Sequence, residues 1–365
     1  MTTEREARMA LAALHPMGSR QLGSLIAEYG ARQVWADVRS MGESTAWGRR
    51  ARGIDIAALR AATKACGARF QIPGDEGWPE RLDDLDRGLL AERGASPVGV
   101  WVRGTLPRGR AVGIVGARAS SAYGEHAASH FAYDLAVAGR TIVSGMAFGI
   151  DAAAHRGTLT AGRPTVAVLA NAVDTPYPAA HAGLLRQILQ SGAALSEAPP
   201  GTAPRKAAFL ARNRLIAALC DAVVIVEGAA RSGARNTVAW AASLGRPVLA
   251  VPGPITSSLS TTPHRLIRDG EATLVASAAE VNALIGPLDG HAELPLRGPE
   301  VPLDRLRPPL VAVREAIGAR EQVSSAELSQ RTGLSVMECL AAAEELVELG
   351  WLVAAEPAGW RLPQR

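Results

Sequence analysis

A cluster of polar residues in the segment "FLARNRLIAALCDAVVIVEG" (209–228) has the chemistry to bind an anion. Arg212, Asn213 and Arg214 stand directly before a long apolar run, where a helix must pack against a buried strand. Burying two guanidinium groups without partners is costly, so these side chains either stay in water or meet a negative ligand. The segment from 201 to 236 holds six basic residues and two acidic ones. This excess predicts a positive patch that attracts a negatively charged partner.

The whole chain has the composition of a globular protein from a reducing compartment. It has 365 residues, of which 48% are hydrophobic and 20% charged, and a net charge of +4. Cys66, Cys220 and Cys339 are isolated and offer neither a disulfide framework nor a metal site. No export signal and no apolar run long enough to span a membrane is visible. We therefore expect a cytoplasmic protein with no membrane span, no metal and no cofactor.

Seven apolar runs alternate with alanine-rich helical stretches and predict an α/β fold. The runs are 111–116, 141–145, 165–170, 193–199, 222–228, 247–253 and 272–277. Continuous apolar strands with helices between them form a parallel sheet that is covered on both faces. We predict a doubly wound α/β domain whose core extends from about 108 to 285. In such sheets, ligands bind beyond the carboxyl ends of the strands.

Glycine, serine and threonine follow several of these strands, where helices should begin. Three of the turns read "GARASSAYG" (116–124), "SGMAFGIDAAAH" (144–155) and "EGAARSGARNT" (227–237). At a helix entrance, such residues let backbone N–H groups point at an anion beside the positive end of the helix dipole. Several entrances side by side predict a site for a polyanion. Asp151, in the second turn, is expected to cap a helix.

Two classes of nucleotide-binding protein do not fit these turns. Gly113, Gly116 and Gly124 do not have the G-x-G-x-x-G spacing of a dinucleotide site. The second strand ends in Ser144 and Gly145, where an acidic residue would be needed to hold a ribose. The sequence also lacks the G-x-x-x-x-G-K-[ST] loop of nucleotide-hydrolysing enzymes. The spacing therefore argues against NAD and against a P-loop.

Seven motifs in order resemble the DNA-processing protein A family, also called DprA or Smf. The motifs are "VGIVGAR", "SGMAFGIDAAAH", Tyr177 with Pro178, "SEAPPG", "FLARNRLIA", "RSGARNT" and "VPG". The resemblance implies an extended Rossmann-like domain over 66–285 that binds single-stranded DNA without sequence preference. It also implies a homodimer that protects incoming DNA and loads the recombinase RecA during natural transformation. On this interpretation the protein is a recombination mediator and not an enzyme.

The resemblance and the positive patch together indicate which residues bind DNA. These residues are Gly116, Arg118, Ser144, Gly145, Lys206, Phe209, Arg212, Asn213, Arg214, Ser232, Gly233 and Arg235. Basic side chains would contact phosphates, and Phe209 would stack on a base. The alternatives are ion pairs with surface carboxylates for Arg212 and Arg214, and an ordinary core position for Phe209.

The sequence departs from the family pattern around these residues. Ala117 and Leu210 stand where the pattern has serine and proline, and 234–236 and 261–264 also differ from it. These departures leave the shape of the pocket open. Arg235 adds a positive charge where the pattern has none.

The main alternative function is that of a Rossmann-like, nucleotide-binding phosphoribohydrolase. Such enzymes carry a P-G-G-x-G-T-x-x-E loop after an equivalent strand. The corresponding loop here reads "EGAARSGARNTVAWA", with Ala239 and Trp240 after Val238, where the carboxylate should stand. Without a general acid or base, hydrolysis has no evident agent.

Two small domains are predicted beside the sheet. Residues 1–65 form alanine-rich helices, in which "HPMGSRQLGSLIAEYG" (15–30) resembles a helix-hairpin-helix with Gly18 in its turn. Such a module can contact DNA phosphates, and a small packing domain is the other interpretation. The proline-rich segment 286–309 is predicted to be a linker.

The C-terminal segment 310–365 follows the pattern of a winged helix. A helix, a turn at Gly333 and a second helix precede a pair of short strands. The second helix would be the recognition helix, but it carries Glu338, Glu344 and Glu348. Because these carboxylates would repel phosphate, we predict a protein-interaction or regulatory domain.

Overall fold

The computed structural model describes residues 2–14, 17–230, 232–286, 302–356 and 358–363. Two compact units are distinguished, Met1–Ala292 and Glu293–Arg365. Arg231 and most of the predicted linker 286–309 lie outside the described residues. Within the described ranges, no helix is long and apolar enough to cross a membrane.

Five helices form the N-terminal part of the first unit. They are α1 Glu4–Leu14, α2 Arg20–Tyr29, α3 Ala31–Ser40, α4 Ala46–Arg52 and α5 Ile56–Ala65. Apolar residues of α1 to α4 meet in one core cluster. Ser19, Thr45 and Asp55 cap α2, α4 and α5 by accepting backbone N–H groups. Gly18 lies in the turn before α2 with a φ of 73°, a conformation that favours glycine.

Within the described residues, nine strands form one sheet. They are β1 Ala68–Gln71, β2 Val100–Gly104, β3 Ala111–Val115, β4 Thr141–Ser144, β5 Thr165–Val168, β6 Ala193–Ser196, β7 Ala222–Ile225, β8 Val248–Ala250 and β9 Thr273–Leu274. Their spatial order is β1-β2-β6-β5-β4-β3-β7-β8-β9. Strands β3 to β9 pair in parallel, whereas β1 pairs antiparallel with β2, and β2 pairs antiparallel with β6. All seven predicted strands are present, so the prediction of a parallel sheet is confirmed.

The sequence pattern does not predict the two antiparallel edge strands. β1 reads ARFQ and β2 reads VWVRG, so each run is short and carries an arginine. On β1, buried and exposed side chains alternate, as is typical of an edge strand with one face in solvent. Such brief alternation is a weak signal beside the continuous apolar runs of the central strands.

Seven helices follow the strands and cover the sheet. They are α6 Ala122–Val137, α7 Ile150–Thr160, α8 Ala182–Ser191, α9 Lys206–Leu219, α10 Ala234–Ser243, α11 Thr261–Arg268 and α12 Ala278–Ile285. Residues of α6, α7 and α12 share one core cluster with the sheet. Residues of α9, α10 and α11 share another. The sheet is therefore covered on both faces, and the predicted doubly wound fold is confirmed.

The chain changes direction across the sheet at α9. From β3 to β6 each new parallel strand lies further to one side, and α9 then returns the chain to β7 on the other side of β3. Because β6 and β7 are parallel, α9 must begin at the carboxyl edge of the sheet. Ligands of doubly wound sheets bind at this edge, near the point where the strand order reverses.

The start of α9 corrects the prediction for its polar trio. The helix begins at Lys206, so Arg212, Asn213 and Arg214 lie in its second and third turns and not at its entrance. Their side chains are buried, with 5%, 8% and 1% of their surface exposed. They therefore need partners within the protein.

Arg214 has such a partner in Glu197, which follows β6. Its two terminal nitrogens donate to the two carboxylate oxygens of Glu197, each over 2.7 Å. The two side chains are 1% and 6% exposed. The predicted contact of Arg214 with DNA phosphate is therefore wrong for this arrangement, because the guanidinium group is enclosed and bound to a carboxylate.

The ion pair is covered by the N-terminal helices. A Cβ on Gly18 would lie 2.6 Å from Nε of Arg214, and a Cβ on Gly94 would lie 3.0 Å from its Cδ. The backbone of Ala95 also donates a hydrogen bond to the carbonyl of Gly18 over 3.1 Å. Gly18 is thus needed where the helices meet the sheet, because a side chain there would displace Arg214, and at Gly94 a Cβ would press against the same side chain.

The second unit has the predicted order of elements. Its helices are α13 Pro308–Glu315, α14 Ser325–Thr332 and α15 Val336–Glu348, and its strands are β10 Val353–Ala354 and β11 Trp360–Arg361. Ser324 and Ser335 form capping boxes at α14 and α15. Gly333 ends α14 in the left-handed conformation, with φ 75°. β10 and β11 pair antiparallel as a short wing.

The buried ion pair predicts a large loss of stability on removal of one partner. Arg214→Met leaves the Glu197 charge enclosed and should lower the free energy of unfolding by about 3–5 kcal/mol, measured by urea denaturation. Adding Glu197→Leu should restore part of this loss, because no charge then remains buried. Arg205→Met, an exposed arginine just before α9, is the control and should change stability by less than about 0.5 kcal/mol. A similarly small effect of Arg214→Met would contradict the ion pair.

Candidate functional site

A pocket of about 200 Å³ opens at the carboxyl ends of β3, β4 and β5, beside α9. Three aromatic side chains and two arginines line it, namely Phe148, Tyr177, Phe209, Arg118 and Arg212. No carboxylate lines it within the part of the chain that the structure describes. The pocket therefore combines aromatic surface with positive charge.

Phe209 is the centre of the aromatic cluster. The guanidinium carbon of Arg118 lies 5.0 Å from the centroid of its ring, which is cation–π distance. The ring of Tyr177 lies 5.6 Å from that of Phe209, centroid to centroid, at an interplanar angle of 54°. Phe148 packs against His181 with 4.6 Å between ring centroids. Since Phe148 and Tyr177 are 51% and 43% exposed, flat apolar groups can reach this surface from solvent.

Arg118 is a free cation at the mouth of the pocket. It is exposed, and no carboxylate of the described residues lies within 4.0 Å of it. Lys206, at the start of α9, and Arg235, at the start of α10, are also exposed without such a partner. These three cations are available to a negatively charged ligand.

Arg212 is positioned differently, at the base of the pocket. It donates hydrogen bonds to the carbonyl of Val168 and, over 3.3 Å, to the side-chain oxygen of Asn213. A Cβ on Gly145 would lie 2.5 Å from one terminal nitrogen of Arg212 and 2.4 Å from a carboxylate oxygen of Asp151. Burial lowers the pKa of Arg212 to about 10, and the Asp151 carboxylate opposes that shift. Arg212 therefore stays charged at neutral pH.

The sequence analysis predicted that Asp151 caps α7, and this prediction is wrong. The N-cap position belongs to Gly149, and Asp151 lies buried in the first turn. Its carboxylate accepts the backbone N–H of Ala147 over 3.3 Å and faces Arg212. Burial raises its pKa, whereas Arg212 lowers it. Asp151 is thus the acidic group that faces Arg212 from within the fold.

The entrance of α6 is also filled by a carboxylate of the protein. Glu227, which follows β7, accepts the backbone N–H of Ser121 over 2.9 Å and its hydroxyl over 2.5 Å. A Cβ on Gly124 would lie 2.2 Å from the same carboxylate. The predicted anion site at the entrance of α6 is therefore wrong, because Glu227 occupies this position.

His155 lies below the pocket and has a structural role. Nε2–H of the neutral ring donates to the carbonyl of Gly145 over 2.6 Å, and Nδ1 lies 2.8 Å from the hydroxyl oxygen of Thr165. Burial lowers the pKa of His155 to about 4. The neutral ring thereby fixes the backbone of Gly145 beneath Arg212.

Three other predicted residues support the pocket from within the fold. Ser144 is fully buried and donates to the carbonyl of Ile114 over 2.6 Å. Asn213 donates to the carbonyl of Gly233 over 3.4 Å and so joins α9 to the turn after β7. A Cβ on Gly116 would lie 2.6 Å from Ile150, so no larger residue fits there.

The remaining predicted residues lie around the turn after β7. Ser232 is half-buried and accepts the backbone N–H of Ala234 over 3.3 Å, whereas Gly233 and Arg235 are exposed. None of these three lines the pocket. β7 is the neighbour of β3 in the sheet, so this turn extends the same edge.

The sequence analysis did not assign Phe148 and Asn171 to the site, and it named Tyr177 as part of a family motif without placing it there. Phe148 lies in the glycine-rich turn after β4, Asn171 follows β5, and Tyr177 lies further along the same loop. A detectable signal was present for Phe148 and Tyr177, since aromatic residues are unusual in exposed turns beyond parallel strands. Asn171 carries no such signal.

Comparison with known proteins gives a consistent result. A family model described as DNA recombination-mediator protein A matches residues 69–286. A Mycobacterium tuberculosis protein named as a DNA processing protein DprA is 41% identical over 303 residues, which are 81% of this chain and 77% of that protein. The X-ray structure of DNA processing protein A from Streptococcus pneumoniae has a TM-score of 0.64 and 31% identity, covering 77% of this chain and 97% of that one.

A second similar structure is that of DNA processing protein A from Helicobacter pylori, which is described for its single-stranded DNA binding mode. Its TM-score is 0.52 with 27% identity, covering 60% of this chain and 95% of that one.

The buried His155 predicts a specific pH dependence of stability. Its pKa is about 4 when folded and 6.5 as the ordinary value, so the unfolded chain takes up the proton first as pH falls. Stability should therefore decrease from pH 7 to pH 5, with about 2 kcal/mol of this decrease due to His155. Urea denaturation at the two pH values should show that His155→Gln removes this share of the decrease. The control variant His130→Gln, at an exposed histidine, should show the full wild-type decrease in stability. Equal pH dependence in all three proteins would contradict the role of His155.

Proposed function

Because the chain belongs to the DNA recombination-mediator protein A family, we propose that it binds single-stranded DNA through the pocket at the carboxyl ends of β3 to β5. The observation that carries the proposal is the contact between Arg118 and Phe209, 5.0 Å from guanidinium carbon to ring centroid, in a pocket without a lining carboxylate among the described residues. Proteins that hold single strands without sequence preference combine cations for the backbone with aromatic rings for the bases.

The residues in and beside the pocket divide the contacts between them. Arg118 lines the pocket, whereas Lys206 stands outside its lining at the start of α9. Both are exposed without a carboxylate partner among the described residues, and we assign them to phosphates. Phe209 and Tyr177 offer ring surface for stacking a base. Arg212, which is held by Val168 and balanced by Asp151, supplies fixed positive charge at the base of the pocket. Phosphate contacts and stacking carry little base information, so binding is independent of sequence.

The turn after β7 gives the bound DNA strand a path beyond the pocket. Ser232, Gly233 and Arg235 lie at the carboxyl end of β7, next to β3. The unpaired Arg235 is suited to a further phosphate. Gly116, Gly145, Ser144 and Asn213 act by shaping the pocket.

The wider role follows from the family and from the chemistry of the partner. We propose that the protein acts in the cytoplasm, protects single strands taken up during natural transformation, and loads RecA onto them. The homologous proteins that support this are named as DNA processing proteins. We also propose a homodimer, which would present two such pockets to one strand and raise the overall affinity.

We propose that the protein is not an enzyme. The described lining of the pocket offers no carboxylate, and Asp151 and Glu227 are engaged inside the fold. A general acid or base must reach the reacting group within hydrogen-bond distance, which neither residue does from its buried position.

This proposal predicts that no base or phosphate is released from nucleoside monophosphates or ATP. Chromatography of overnight incubations should show unchanged nucleotides. Steady turnover that disappears in Arg118→Ala would instead identify the pocket as an active site.

The contacts of the pocket predict a change in salt dependence. The double variant Arg118→Ala with Lys206→Ala should bind oligo-dT and oligonucleotides of mixed sequence more weakly, by the same factor for both. It should also flatten the slope of log K against log salt by about 1.4, because each lost single-strand contact accounts for about 0.7. Fluorescence anisotropy at several salt concentrations measures both effects. A matched control is Arg156→Ala with Arg163→Ala, which removes the same charge at exposed positions outside the pocket.

Stacking is tested separately from charge. Phe209→Ala should weaken binding by about 1–3 kcal/mol and leave the salt slope unchanged. For the charge contacts, the contradicting result is wild-type affinity and salt slope in the variant with both Arg118→Ala and Lys206→Ala, at an unchanged melting temperature.

A further inference from the structure

A groove of about 570 Å³ runs along a second face of α9. Its walls are the ends of α1 and α4, the loop after β6 and the first half of α9. From α9, Ala207 and Ala208 line the groove, whereas Phe209 and Arg212 line the pocket. Ala170, which follows β5, lines both cavities. The pocket and the groove are therefore neighbours that share a wall.

The groove carries uncompensated positive charge. Arg50, in the last turn of α4, and Arg205, just before α9, line it and are exposed. No carboxylate of the described residues lies within 4.0 Å of either guanidinium group. Glu197 also lines the groove, but both its oxygens accept from Arg214 over 2.7 Å. Its charge is thus already neutralised, and the groove favours an anion.

The shape of the groove suits an extended ligand. Half of its described lining residues are alanines, so little side-chain bulk fills it. Its volume of about 570 Å³ lies within the range of about 300–1,000 Å³ that is common for ligand sites. Small apolar walls with cations at the rim can hold sugars and base edges while phosphates meet the arginines.

The start of α9 connects the two cavities electrostatically. The helix has no side-chain cap at its N-terminus, and Arg205 and Lys206 stand there. Cations are unfavourable beside the positive end of a helix dipole. A phosphate that crosses this end of α9 compensates both the dipole and the two side chains.

We propose that the groove holds a second segment of the same single DNA strand, which passes over the start of α9 from the pocket. Arg50 and Arg205 contact its phosphates. The N-terminal helices thereby take part in binding, although they are absent from the pocket. This inference rests on the proposed function, since it extends the strand that the pocket holds.

Strand length separates the two sites in an experiment on the full-length protein. Oligo-dT of about 6 nucleotides fills only the pocket, and oligo-dT of about 20 nucleotides also reaches the groove. Arg50→Ala should lower the affinity for the long oligonucleotide about fivefold and flatten its salt slope by about 0.7. The affinity for the short oligonucleotide should stay unchanged. Arg39→Ala, an exposed arginine of α3 outside the groove, is the matched control and should have no effect.

The possible results are distinguishable. Wild-type affinity of Arg50→Ala for the long strand would overturn the inference, and a protein segment would become the better occupant of the groove. Equal weakening of both lengths would also overturn it, because Arg50 would then act on the pocket. If the short strand does not bind to the wild-type protein, or binds equally well to Arg118→Ala, the proposed function itself fails.

Discussion

Two guanidinium groups are buried in neighbouring turns of one helix, and the structure around the pocket places a carboxylate near each. Arg214 is neutralised by Glu197 through two hydrogen bonds of 2.7 Å, whereas the Asp151 carboxylate faces Arg212 across the bare backbone of Gly145. Each arrangement fixes several elements at once, since Glu197 follows β6 and Asp151 begins α7. The rigid base that results allows the exposed cations, foremost Arg118, to be held for a ligand.

An internal carboxylate also bears on where the proposed anion site can lie. Glu227 fills the entrance of α6, so the backbone N–H group of Ser121, of the kind that binds phosphates in many doubly wound folds, is already used. A compact nucleotide phosphate has no place there. A long polyanion needs only surface cations and rings at intervals, and the proposed site has such a combination in Arg118 with Phe209.

Sequence patterns predicted the central sheet because its strands are continuous apolar runs, and they predicted the order of the winged-helix elements because their caps and turns are local. Sequence patterns failed where a buried charge is neutralised by a residue from another element of the fold. Nothing near Arg214 in sequence reveals that Glu197, on the preceding strand loop, will enclose it. Arg118 and Phe209 were predicted from the family resemblance of their motifs, whereas the groove beside Arg50 depends on the packing of helices that are distant in sequence.

A crystal structure of the protein with oligo-dT tests the central claim most directly. The account predicts a phosphate within hydrogen-bond distance of Arg118, a base against the ring of Phe209, and an unchanged ion pair between Arg214 and Glu197. A strand bound elsewhere, or Arg214 released from Glu197 to contact a phosphate, would contradict it.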